Sequence, residues 1–125
     1  MKDMPKSRDN TNNRQIGTYY EIRAREYLVD KGYQILTMNF RCRIGEIDMI
    51  AKDGAYTVFV EIKYRSNNKC GLPRESVTYY KKQKIVKVAQ YYLVYHHLGD
   101  IPCRFDVIEI YKEQINHIIN AFMEG

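Results

Sequence analysis

Two ionisable residues interrupt an apolar run in the middle of the chain. Between Tyr56 and Tyr64, Glu61 and Lys63 stand among Val58, Phe59, Val60 and Ile62. Such β-branched and aromatic residues favour pleated structure. Side chains two apart on a strand project from the same face, roughly 6–7 Å apart. Burying a carboxylate and an ammonium in such a run is costly without compensation. A second acidic pair, Glu46 and Asp48, lies upstream in another apolar segment with Ile47, Met49 and Ile50. Carboxylates gathered at one point, with a lysine beside them, suit a divalent ion held for cutting a phosphodiester.

That reaction needs charge neutralised on the phosphate, a water made nucleophilic and a leaving oxygen stabilised. Mg²⁺ or Mn²⁺ on one or two carboxylates supplies most of this. Asp48 and Glu61 are the candidate ligands, provided that their strands pair. Crowded carboxylates raise each other's pKa unless a cation sits between them. Lys63 is the candidate to align or deprotonate the attacking water, or to hold the phosphate. The competing reading is a buried ion pair of Lys63 with Glu61 or Asp48 that only fixes strand register.

The elements that must position these groups follow from periodicity and punctuation. Residues 1–13 are polar and charged and are expected to form a flexible arm. A helix is predicted over 14–31, with Gly32 as its stop. Its apolar stripe is Gly17, Tyr20, Ala24, Tyr27 and Leu28. Glu21 sits inside that stripe, either bridged to an arginine or turned toward the other acids. Strands are predicted over 33–40, 46–51 and 56–64. The second alternates, with Glu46, Asp48 and Ile50 on one face and Ile47, Met49 and Ala51 on the other. Asp53-Gly54 marks a hairpin turn, and the three strands read as an antiparallel meander. A polar loop containing Gly71 and Pro73 precedes a helix over 76–98 that buries Ile85, Val88, Ala89 and Tyr92. Strands over 104–111 and 114–122 complete a single α/β domain, residues 14–125, with one central mixed sheet flanked by helices.

Composition narrows the partners. The chain has 125 residues, a net charge of +5 and twelve tyrosines without a tryptophan. Eight of its Lys/Arg residues fall between residues 63 and 87, against the single acid Glu75. Such a block matches a phosphate backbone, and Arg65, Lys69, Lys81, Lys84 and Lys87 are the candidate DNA contacts. Cys42, Cys70 and Cys103 are too far apart for a zinc site and read as reduced thiols. With no secretory signal and no apolar stretch of about 20 residues, a soluble cytoplasmic protein is expected, without a membrane partner.

The spacing of Gly45-Glu46-Ile47-Asp48 from Glu61-Ile62-Lys63, behind a helix carrying Glu21, resembles the PD-(D/E)XK nuclease superfamily. The chain is more closely similar to the small YraN-like proteins, an uncharacterised family similar to archaeal Holliday-junction resolvases. Gly32-Tyr33, Asn39-Phe40-Arg41, Lys81 with Lys84-Ile85, and Arg104-Phe105-Asp106-Val107-Ile108 carry that likeness. It implies a restriction-endonuclease-like core of helix, three strands, helix and strand. It also implies Asp48, Glu61 and the Ile62 carbonyl as metal ligands, Lys63 as catalytic lysine and Glu21 as an accessory acid. Glu46 stands as a ligand or a salt-bridge partner.

The expectation is therefore a metal-dependent nuclease acting on DNA, on branched intermediates of recombination and repair. By analogy with the resolvases it would be a homodimer that cuts two strands symmetrically. The rival expectations are a non-catalytic nucleic-acid-binding protein of the same fold, and a small partner-binding protein with a solvated basic face.

Overall fold

The computed structural model describes residues 5–65 and 78–122, and side chains at residue 15 and from residue 17 onward within them. Helix α1 (Pro5–Asp30) leads into strands β1 (Gln34–Arg41), β2 (Glu46–Asp53) and β3 (Tyr56–Arg65). Helix α2 (Tyr79–Tyr95) then precedes β4 (Cys103–Tyr111) and β5 (Gln114–Phe122). The five strands form one sheet in the order β1-β2-β3-β4-β5. All neighbours are antiparallel except β3 and β4, which run parallel, in register from Thr57↔Cys103 to Arg65↔Tyr111. The meander of β1, β2 and β3 is as the turn signals indicated, and the sheet is mixed.

Helix α1 is described from Pro5 onward, and the backbone of residues 5–13 is helical where an arm was expected. The far end stops as the sequence indicates. Gly32 has φ 95°, its N–H bonds Val29 O at 2.9 Å, and the Tyr33 N–H bonds Leu28 O at 2.9 Å. These two bonds satisfy carbonyls that the helix leaves open. Helix α2 is shorter than the expected 76–98. His97, at φ 55°, closes it two residues before Gly99, with Leu98 N–H bonding Leu93 O at 2.9 Å.

Each face of the sheet carries one helix and one core. Ala24 and Leu28 of α1 pack on Met49, Ala51, Val58, Val60, Ile108 and Ile110. Ile85, Val88, Ala89 and Tyr92 of α2 pack on Ile47, Ile50, Phe59, Phe105, Val107 and Phe122. Strand alternation explains the split for β3, whose residues 58 and 60 face α1 while residue 59 faces α2. In β2 the expected alternation fails at one point. Ile47 joins the α2 core although Met49 faces α1, so the strand turns over at Asp48. The β2–β3 ladder also ends at Met49↔Val60, one step before Asp48.

A buried polar network ties the α1 side together. Asp106 is fully buried and accepts from Arg104 Nε at 3.0 Å, Arg104 Nη2 at 3.1 Å and the Asn120 N–H at 2.9 Å. Its Oδ2 also lies 2.7 Å from His117 Nε2. Arg104 continues to Asp53 Oδ2 at 3.0 Å and to the Tyr33 hydroxyl at 2.6 Å. Burial would raise the Asp106 carboxyl, but its bonds to His117, Arg104 and Asn120 outweigh this and hold it below the usual carboxylate range. The network joins β4 to the β2–β3 hairpin and to a bulge in β5, where Asn120 adopts φ 56°.

Candidate functional site

Glu61 is buried on the α2 face of β3, two residues beyond Phe59. A carboxylate there needs cations, and the structure supplies two. Lys81 Nζ lies 2.8 Å from Glu61 Oε2, and Lys63 Nζ lies 3.8 Å from the same oxygen. The start of α2 delivers Lys81. Thr78 caps the helix in an extended conformation, and its Oγ1 accepts the Lys81 N–H at 3.2 Å. That cap fixes the first turn, from which the half-exposed Lys81 side chain reaches Glu61. Burial alone would lower the Lys81 ammonium. Its hydrogen bond to Glu61, with the attraction of Glu61 and Asp48, outweighs burial and holds its pKa above the ordinary value.

Asp48 reaches the same neighbourhood from β2. Where the ladder to β3 has ended, its Oδ2 accepts the backbone N–H of Ile62 at 2.8 Å. The N–H and C=O of one strand residue face the same neighbouring strand. The Ile62 carbonyl is thereby turned to the β2 side as well. Burial pushes the Asp48 carboxyl up, and the Glu61 charge pushes it further. The Ile62 N–H and Lys81 offset this only in part, and the group sits at about 7. A carboxyl held there lacks a cation of its own.

The other candidates separate from this pair. Glu46 is half-exposed and bridges to Arg41 Nε at 3.0 Å, across the Arg41↔Glu46 register pair. Glu21 accepts from Asn39 Nδ2 at 3.3 Å. The flanking pairs Met38↔Met49 and Phe40↔Ile47 set Asn39 opposite Asp48. Glu21 is thus one residue removed from Asp48, through an asparagine at φ 55°, which that residue type tolerates. Its neighbour Tyr20 stacks on Tyr64, with ring centroids 4.6 Å apart. Among the described residues, no three His, Cys, Asp or Glu side chains form a ready metal cage. Two carboxylates and a backbone carbonyl are an all-oxygen set that suits a hard ion, which usually keeps several waters. Mg²⁺ or Mn²⁺ fits that set, and it would relieve the elevation seen at Asp48.

The basic candidates also divide. Arg65 pairs closely with Glu109, and both side chains are largely buried. It is therefore not a free phosphate contact, because the sheet holds its charge on a carboxylate. Lys81 is likewise committed to Glu61 and belongs to the acidic centre. Lys84 and Lys87 are exposed, with Lys84 Nζ 5.3 Å from the centroid of the Tyr80 ring. Lys69 lies outside the described residues. Glu109 was missed from the sequence, although it is the β4 register partner of Lys63. The signal was present, since Glu109 is a carboxylate inside an apolar strand, as Glu61 is. Beside the centre, a cleft of about 300 Å³ is lined by Gly45, Glu46, Tyr80, Lys81, Lys84 and Ile85.

No described helix is long and apolar enough to cross a membrane. The family model described as "Uncharacterised protein family UPF0102" matches residues 20–110, which include both acids, both lysines and Glu109. A UPF0102 protein of Clostridioides difficile is 50% identical over 113 residues, covering 89% of this chain and 99% of that protein. A UPF0102 protein of Lachnoclostridium phytofermentans is 47% identical over 112 residues, covering 89% and 95%. One from Caldanaerobacter subterraneus is 46% identical over 118 residues, covering 89% and 97%. With the match running from α1 to β4 and these relatives spanned nearly end to end, the chain belongs to the UPF0102 family.

Proposed function

We propose that this chain is a divalent-metal-dependent nuclease, with a restriction-endonuclease-like core of the PD-(D/E)XK type, that hydrolyses phosphodiester bonds in DNA. One observation carries the reading. Asp48 and Glu61 meet at the point where the β2–β3 ladder ends, and Asp48 is held at about 7 by burial and by its neighbour. A structural ion pair would not leave one carboxylate so poorly compensated.

In this reading Asp48, Glu61 and the Ile62 carbonyl hold Mg²⁺ or Mn²⁺. When bound, the ion neutralises phosphate charge and lowers the pKa of water. Lys63 shares the Glu61 face and turns its ammonium toward the scissile phosphate, where it holds a phosphate oxygen or orients the attacking water. Lys81 gives Glu61 a counter-charge at 2.8 Å. Glu21 acts through Asn39 as an accessory acid, and Glu46 stays at the rim. Lys84 and Lys87 offer charge to the backbone without reading bases. Branched DNA and a homodimer that cuts two strands symmetrically rest on the likeness to resolvases.

The test uses end-labelled linear, flapped and four-way DNA with Mg²⁺, Mn²⁺ or EDTA. Cleavage should require the ion and disappear in Glu61→Ala and Asp48→Ala, while DNA binding remains. Binding without cleavage in the wild type, with either ion, would leave only a nucleic-acid-binding protein. Absence of both would remove the reading altogether.

A further inference from the structure

Helix α2 has an outer face as patterned as its inner one. Tyr80, Lys84, Lys87, Tyr91, Tyr95 and Leu98 follow spacings of 4, 3, 4, 4 and 3 residues, which is one continuous stripe on a helix and its exit. The stripe lies to one side of Ile85, Val88, Ala89 and Tyr92, which face the core. It is open to solvent, with Tyr80 70% and Tyr95 62% exposed. Rings and cations are interleaved. Lys84 Nζ sits over the Tyr80 ring, and Tyr91 and Tyr95 lie nearly parallel, 14° apart, with centroids separated by 6.0 Å. Tyr91 is braced from below by Phe40 of β1. The helix contains four lysines and no acid.

We infer that this stripe is a platform for single-stranded nucleic acid, whose bases stack on Tyr80, Tyr91 and Tyr95 while Lys84 and Lys87 meet its phosphates. The inference deepens the nuclease reading by naming the form of substrate that approaches the site. Exposed flat rings alternating with cations match a strand whose bases are unpaired, because each base then offers its face without regard to sequence. A duplex hides those faces. From Tyr80 to Tyr95 the stripe runs roughly 22 Å along the helix, enough for several nucleotides. Its first members, Tyr80 and Lys84, line the cleft beside Lys81, so a strand on the platform leads into the acidic centre. A second copy of this chain is a poor occupant. A two-fold axis at the middle of the stripe would set Lys87 against its own mate.

The experiment measures fluorescence anisotropy of a labelled oligothymidylate about 16 nucleotides long, using full-length Glu61→Ala in EDTA so that cleavage plays no part. Tyr80→Ala, Tyr91→Ala and Tyr95→Ala should each weaken binding roughly tenfold. Tyr80→Phe and Tyr95→Phe should bind as the parent does, which separates ring stacking from the hydroxyl. A duplex of equal length should be indifferent to the tyrosine changes. Lys84→Ala should reduce the salt dependence of both by about one phosphate contact. Tyrosine-to-alanine variants that bind the single strand like the parent, with circular dichroism unchanged, would overturn the inference. So would sedimentation of a dimer that Tyr95→Ala dissociates. Tyrosine-sensitive binding with no metal-dependent cleavage in the wild type would keep the platform and remove the nuclease. Cleavage and binding both indifferent to the tyrosines would do the reverse.

Discussion

Replacing Asp48 by Asn should make the metal-free protein more stable above neutrality and less responsive to metal. Folding raises the Asp48 carboxyl from an ordinary 3.8 to about 7. Below the ordinary value the group is protonated in both states and the folded protein keeps its full stability. As pH rises toward 7 the unfolded chain ionises freely and the folded one resists, so stability falls across that window and is level above it. At about 1.4 kcal/mol per tenfold change in proton affinity, that rise sets a ceiling of about 4 kcal/mol. Solvent screening at the partly open site lowers that figure. Asn keeps an acceptor for the Ile62 N–H but adds an amide that must find partners, costing about 1–2 kcal/mol. Asp48→Asn should therefore gain about 1–2 kcal/mol in urea unfolding near pH 8 with EDTA, and lose about 1 kcal/mol near pH 4, where only the amide cost remains. Saturating Mg²⁺ should stabilise the wild type by about 2.7 kcal/mol at a hundredfold excess over its dissociation constant, and the variant much less. A variant no more stable than wild type at the higher pH, or an equal gain at both, would refute the reasoning that Asp48 is an undercompensated carboxylate beside Glu61.

Four further substitutions test the geometry. Asp106→Ala should cost about 3–5 kcal/mol in chemical unfolding, because it leaves the buried Arg104 charge without its main partner. Since Asp106 titrates below its unfolded value of 3.8, its contribution should be present above that pH and fade as pH falls through the folded value. Arg65→Ala should lower stability by about 3 kcal/mol and be partly rescued by Glu109→Gln in a double-mutant cycle; an Arg65→Ala protein of wild-type stability but weakened DNA affinity would return Arg65 to the phosphate contacts. Gly32→Ala should destabilise by about 1 kcal/mol at its φ of 95°. Gly17→Ala, with open space around its Cβ and a helical backbone, should stabilise by about 0.5–1 kcal/mol. The Tm difference between the two variants reads both effects.

Periodicity made most of the scaffold legible. The four buried residues of α2 were those expected, and the span of β5 coincided with the prediction. Both signals are local, so a single chain segment contains them. The misplaced residues depend on other segments. Ile47 changes face because Asp48 spends its side chain on the Ile62 N–H, fourteen residues away. Lys81 and Arg65 looked alike as members of one basic block, since charge is visible in a sequence and its partner is not. The cap at Thr78 sends one onto Glu61, and the parallel register brings Glu109 to the other. The acids Asp48 and Glu61 were found because each breaks an apolar strand. Glu109 breaks one too, but nothing nearby in the chain signalled that β4 lies beside β3.

Strands that lie side by side in the order of their synthesis leave the sheet, among the described residues, one strand pairing that is not a hairpin, the parallel join of β3 to β4. Among the described residues, a helix and a meander precede that join, and a helix and a hairpin follow β3. Two fragments divided between Arg65 and Thr78 should therefore each form their local contacts early and then reassociate through that join. The acid pair would arrive whole on the first fragment. Lys81 and Glu109 would arrive on the second, so complementation would restore the counter-charges around the centre in one step.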